Sequence, residues 1–163
     1  MKKKLYIILI LVVGIISSLF LFYEYQGVGG GFVTDDSVII KSGDYEKRNI
    51  VLGGRMVSVE VADTDAKRTR GLSGHAPLKD GEGMIFIFDT AGKYSFWMKD
   101  MLFPIDIIWI GEDFSVVDIT ENAEPNSYPN LFTPREEALY VLEVNAGFSN
   151  EKGLKIGDKV EFK

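Results

Sequence analysis

Two acidic residues interrupt apolar, strand-like runs. In IDIIWI (Ile105 to Ile110), Asp106 alternates with Ile108 and Ile110, and in ALYVLEV (Ala138 to Val144), Glu143 alternates with Leu139 and Val141. Side chains two apart on a strand share a face, so both carboxylates are predicted to point inward. An ion taken out of water is costly unless it is paired and hydrogen-bonded, so each acid requires a partner. Arg70, at the end of a basic KRTR run, is the candidate, because its planar fork binds a carboxylate through two parallel bonds. Two outcomes are open. A buried pair of Arg70 with Asp106 or Glu143 would fix a helix against the sheet. Alternatively, a cleft would leave one carboxyl with a raised pKa for acid or base work, a hydrolase-like or lyase-like enzyme with Arg70 as electrophilic clamp.

A second concentration is aromatic and thioether: Phe96, Trp97, Met98, Met101, Phe103 and Trp109. Such side chains fill cores, and they also wall small-molecule pockets. Trp97, Met98, Trp109 and Tyr128 are the ligand-binding candidates; an exposed indole or phenol beside an acid suits the C–H face and hydroxyls of a sugar ring. Tyr128 lies in the irregular stretch Glu121 to Glu137, with Pro125, Pro129 and Pro134, which reads equally as a lid or as a cover over a barrel end.

Other chemistry is poorly supplied. His75 is the single histidine, set between Gly74 and Ala76 in a predicted loop, and reads as a solvated side chain. Gly71-Leu72-Ser73-Gly74 lacks the glycine two residues after the serine that a nucleophile elbow needs. No phosphate-loop, dinucleotide, zinc-protease or calcium-loop pattern occurs, so no metal and no cofactor is expected. The absence of cysteine excludes disulfides, thiolate nucleophiles and a lipidated cysteine.

The elements that must hold these groups begin with an uncharged run, residues 5–23, directly after Lys2, Lys3 and Lys4. Nineteen residues at about 1.5 Å each give roughly 28 Å of helix, close to the hydrocarbon thickness of a bilayer. The lysines orient the amino terminus to the cytoplasm and the remainder outward. The reading is one N-terminal transmembrane helix, or a signal segment removed after export, since Gly27-Val28-Gly29 weakly matches a cleavage pattern. Both place the body outside the cytoplasm, membrane-tethered or secreted. Beyond the lysines, fifteen Lys and Arg face twenty-four Asp and Glu, a balance that repels phosphate backbones and excludes nucleic acid as a partner.

The predicted organisation is an anchor over residues 1–25, a glycine-rich stalk over 26–47, and one domain over 48–163. Val38 to Ile40 fits either a short strand or the tether. Within the domain, Val57, Val59 and Val61 alternate with polar or small residues as a strand. A short helix follows, capped by Asp63 or Thr64 and ended by Gly71. Further strands are predicted at Gly83 to Phe88, Tyr94 to Met98, Ile105 to Ile110, Ser115 to Thr120, Ala138 to Val144 and Asp158 to Phe162, with a turn at Asp89 to Lys93. A second helix is predicted from near Ser149 to Gly153. The fold class is mainly β: a small antiparallel barrel or strongly coiled sheet with two short helices.

The order Arg70-Gly71-Leu72, GMIFIF, Phe96-Trp97-Met98-Lys99, Pro104-Ile105-Asp106-Ile107, Val141-Leu142-Glu143-Val144, Gly147 and Gly157-Asp158-Lys159-Val160 resembles the domain-of-unknown-function family 192 of bacteria and archaea, from about Val57 to the last residue. The resemblance implies a compact β-rich domain, often exported or tethered, and supplies no reaction. The function expected is an extracytoplasmic binding or interaction module for a small molecule, a glycan or an envelope protein. The alternative is the carboxylate enzyme built from Asp106, Glu143 and Arg70.

Overall fold

The computed structural model describes residues 44–163. The expected anchor and most of the stalk, with Val38 to Ile40, lie outside the described residues. No helix among the described residues is long and apolar enough to cross a membrane.

Seven strands form one sheet: β1 (Lys47–Leu52), β2 (Arg55–Ala62), β3 (Glu82–Gly92), β4 (Ile105–Ile110), β5 (Val116–Ala123), β6 (Ala138–Asn145) and β7 (Glu161–Phe162). Their spatial order is β5-β4-β6-β3-β2-β1-β7. All pairs are antiparallel except β2 with β3. A parallel pair needs a crossover, and helix α1 (Asp65–Arg70) lies within it. Thr64 caps α1 by accepting from the Lys67 amide at 3.3 Å. Gly71 ends it at φ +49°, a conformation that favours glycine, and a Cβ there would come within 3.2 Å of the Phe86 ring. Helix α2 (Phe148–Lys152) stops at Gly153 in the left-handed region.

The sheet curls into a half-barrel around one of its faces. Ile50 and Leu52 of β1, Val59 of β2, Ile85 of β3, Ile108 and Ile110 of β4, Val116 of β5 and Val144 of β6 share one cluster, although β1 and β5 stand near opposite ends of the strand order. The C-terminal segment joins those ends: Ser115 bridges to Lys159, and Val160 donates to the Phe114 carbonyl before β7 pairs with β1. On the outer face lies a second cluster with Met84, Phe86, Ile107, Trp109 and Val141. It is covered by Leu72 and by Met98, Met101 and Phe103 of the 93–104 connection. Each large aliphatic or aromatic side chain fully buried on either face contributes about 1.5–3 kcal/mol.

Several predicted elements are corrected. Tyr94 to Met98 is not a strand; only Phe96 makes an isolated bridge, to Phe132. β3 runs on through the turn expected at Asp89, with a register shift before Gly92. The closing strand shortens to Glu161–Phe162. β1 carried no alternation strong enough to be read, because its first three residues, Lys47, Arg48 and Asn49, are exposed.

Candidate functional site

Asp106 is fully buried, and its surroundings account for it completely. Between Ile105 and Ile107 the β4–β5 ladder shifts register, leaving an extra residue on β5 opposite Asp106. Asn122, at φ +51° in that bulge, donates its amide to Asp106 Oδ1 at 2.9 Å. Gly147 N donates to the same oxygen at 3.2 Å, and Ser149 N to Oδ2 at 2.8 Å. One carboxylate therefore satisfies the bulge and caps the first turn of α2, whose free amide protons favour an anion. Arg70 is not its partner.

Glu143 lies one step away in the same ladder: Asp106 pairs with Val144, and Ile107 with Glu143. Directly paired residues share a face, so a displacement of one residue reverses the side. Asp106 points to the barrel interior with Val144, and Glu143 to the outer face with Met84 and Ile107. The two carboxylates expected to act together are on opposite sides of the sheet. That rules out a shared cleft, and no ion pair joins either of them to Arg70.

Around Glu143 the requirement for a partner is unmet. Its Oε2 is buried without a hydrogen bond, and burial pushes the carboxyl up to about 8. Arg70 lines the same small cavity, of about 30 Å³, and its Nε is likewise buried without a partner. The remaining walls are the α1 end from Arg68 to Ser73, Phe86, Phe96, Trp97 and Met101. Arg68, Thr69, Phe86, Phe96 and Trp97 also line an outer groove of about 430 Å³, which continues over Phe88, Tyr94 and Ser95. The groove thus combines five aromatic rings with the polar side chains of Asp65, Arg68, Thr69 and Ser95, and borders the Arg70 and Glu143 cavity at one end. Phe88 and Tyr94 stack at 3.5 Å between centroids, and Arg68 sits over Phe88 at 5.3 Å. Arg68 is held there by the carbonyls of Asp63 and Ile87 and by Asp65 Oδ1.

The aromatic candidates divide. Trp97, which lines the groove, is 45% exposed and meets the 46% exposed Tyr128 edge to face at 6.1 Å. Met98 and Trp109 are core: Met98 is 1% exposed, and Trp109 is fully buried with its Nε1 donating to the Tyr94 carbonyl at 3.0 Å. Neither reaches a ligand from solvent.

A second polar cluster was missed by the sequence reading. Glu60 pairs across the sheet with Met84, which pairs with Glu143, so both acids belong to one row on the outer face. Glu60 Oε2, Tyr45 OH and His75 Nε2 are buried without partners. His75 is therefore not a solvated loop side chain; its ring lies edge to face with Tyr45 at 6.1 Å, and burial lowers its pKa while Glu60 opposes the shift. A cavity of about 270 Å³ lined by Lys47, Ser58, Glu60, His75 and Lys79 opens beside them. In the sequence, Glu60 looked like an outward residue of an alternating strand. The crossover that covers that side is what buries it.

The family model DUF192, described as Uncharacterized ACR, COG1430, matches residues 48–162. A UPF0127 protein of Pyrococcus abyssi is 33% identical over 106 residues, which cover 64% of this chain and 85% of that protein. The crystal structure of a Sinorhizobium meliloti 1021 protein, provisionally labelled a transcription regulator, has a TM-score of 0.68 at 32% identity, covering 72% of this chain and 95% of that one. A protein of unknown function from Novosphingobium aromaticivorans reaches 0.64 at 34% identity, over 72% of this chain and 84% of that one. With the match extending from β1 to β7 across the whole sheet, the chain belongs to the DUF192 family, the UPF0127 proteins, for which no activity is established.

Proposed function

We propose that this chain is a membrane-tethered binding module that receives a ring-bearing small molecule, free or as part of a glycan, in the groove beside α1. The observation that carries this reading is the groove itself: aromatic walls ending on two buried polar groups, Arg70 Nε and Glu143 Oε2, that no residue among the described ones satisfies. Buried polar atoms are nearly always hydrogen-bonded, and an unmatched pair at the end of an open groove fits an external partner. Trp97, in the groove wall with Tyr128 against it, offers a flat face for stacking.

The tether rests on the sequence, on the apolar run 5–23 behind three lysines. Nucleic acid is disfavoured as a partner by the excess of acidic residues, whatever label a solved relative carries. Catalysis is the weaker reading, because its two-carboxylate form required Asp106 and Glu143 on one side of the sheet.

Binding is tested by Trp fluorescence of the full chain against a panel of saccharides and aromatic compounds. Trp109 is sealed in the core, so a change reports Trp97. A flat response across the panel removes the groove as a ring-binding site. Sidedness is tested by a tag fused at Lys163: cleavage by external protease in intact cells is expected, and protection until lysis refutes the outward orientation.

A further inference from the structure

We infer that the groove selects ring compounds bearing a carboxylate, with one carboxylate oxygen seated in the inner cavity between Arg70 Nε and Glu143 and the ring lying along the aromatic walls. The inference rests on the groove reading above and names its ligand class.

Three observations converge on it. The inner cavity, about 30 Å³, has room for a small polar group, whereas the outer groove, about 430 Å³, accommodates a ring with substituents. Both groups at the cavity floor act as donors at neutral pH. Arg70 Nε carries an N–H with no acceptor, and the Glu143 carboxyl keeps its proton because burial holds its pKa near 8. Two donors lining one cavity, one of them on a cation, call for an anionic acceptor, and the site balances because the arginine charge meets the ligand charge while the glutamic acid stays neutral. The charged side chains lining this cavity are Arg68 and Arg70 of α1 and Glu143 of β6. β3 and the segment from Phe96 to Met101 contribute Phe86, Phe96, Trp97 and Met101, all uncharged. Glu60 stands two strands away in the same row, and Arg68 is already engaged by Asp65. Tyr45 and His75 do not line this cavity but lie within electrostatic range of Arg70, whose charge acts to lower both their pKa values.

Aromatic walls accept two kinds of ring, so the source is separated by paired probes: benzoate against benzyl alcohol, and glucuronate against glucose. Each is titrated into the full chain at pH 6, 7 and 9, with binding read by calorimetry and by Trp97 fluorescence. The acid member of at least one pair is expected to bind tenfold or more tightly than its neutral counterpart at pH 7, and that pair names the ring. Affinity for the acid is expected to fall by about tenfold per pH unit above 8, as Glu143 ionises and repels it. Arg70→Gln is expected to abolish the preference for the acid, bringing the acid's affinity down to that of its neutral counterpart. Glu143→Gln, which keeps a donor of similar shape, is expected to retain acid binding and to lose the fall above pH 8; its unfolding transition verifies that the variant is folded. Equal affinity for acid and neutral probes overturns the carboxylate assignment while the groove reading stands. No binding of any probe, with Trp97 fluorescence unchanged, overturns both, and leaves the inner cavity as the seat of a bound water.

Discussion

Asp106 and Glu143 are neighbours in one ladder and opposites in every physical respect. Asp106, on β4, accepts hydrogen bonds from the amides of Asn122, Gly147 and Ser149, each of which would be unsatisfied without it. Glu143, on β6, is almost as deeply buried, yet one of its oxygens has no partner and its carboxyl is pushed up to about 8. The interior of the half-barrel uses an acid to complete its backbone hydrogen bonding. The outer face keeps an acid that weakens the fold unless something external meets it. A buried ionisable group that contributes nothing to stability marks the side of the sheet where function is to be sought.

This contrast is broken or sharpened most severely by pH. Glu143 has its folded-state pKa raised from an ordinary value of 4.5 to about 8. Across that interval the folded state holds a proton that the unfolded state has released, so stability is highest below pH 4.5 with respect to this group and declines as pH rises to 8. The whole decline is on the order of 5 kcal/mol. Denaturant midpoints measured from pH 5 to 9 should show it, and Glu143→Gln should flatten the curve. An identical slope in the variant would assign the decline to another group.

Asp106→Leu is expected to cost about 4 kcal/mol, because it strands three amides in the barrel interior, with Asp106→Asn costing roughly half as much. Urea denaturation measures both. If Asp106→Leu is neutral while Glu143→Leu is severely destabilising, the assignment of roles is reversed.

Asp118 extends the comparison to a third buried acid. Burial acts to raise its pKa, but hydrogen bonds from the Arg135 side chain and amide and from the Ile119 amide prevail and lower it. Asp118→Asn should cost about 2 kcal/mol and loosen the 124–137 loop, seen as faster amide exchange there. The sign is opposite to that of Glu143: stability from Asp118 is present above its ordinary carboxylate value and is lost as pH falls through the lowered folded-state value. The smallest effect belongs to Trp97→Ala, which removes an exposed ring and should alter stability by no more than about 0.5 kcal/mol while abolishing the fluorescence response to any ring probe.

Much of the architecture could be read from short-range signals. Ile105 to Ile110 reads as a strand because all six positions are apolar or inward, and the structure places β4 over the same residues. Thr64, Gly71 and Gly153 mark helix ends through caps that act over a single turn. Tyr94 to Met98 shows where such signals fail. Its aromatic composition favours a strand, yet its rings are spent on packing against Phe88, Phe86, Trp109 and Tyr128, and only Phe96 finds a ladder partner. Of the site, Arg70, Glu143 and Trp97 were visible as residues whose chemistry demanded explanation. Glu60, His75 and Tyr45 were not, because they come together only when the crossover that carries His75 folds back over the outer face of β2, beside Tyr45.

By itself, the amino-acid order determined that Asp106 and Glu143 would leave water, since alternation along a strand is a property of consecutive residues. Whether they would meet was decided only when β4 paired with β6. The offset between two strands is set by packing and hydrogen bonding across the whole sheet, and a difference of one residue in that offset sends one carboxylate to the barrel interior and the other to the groove.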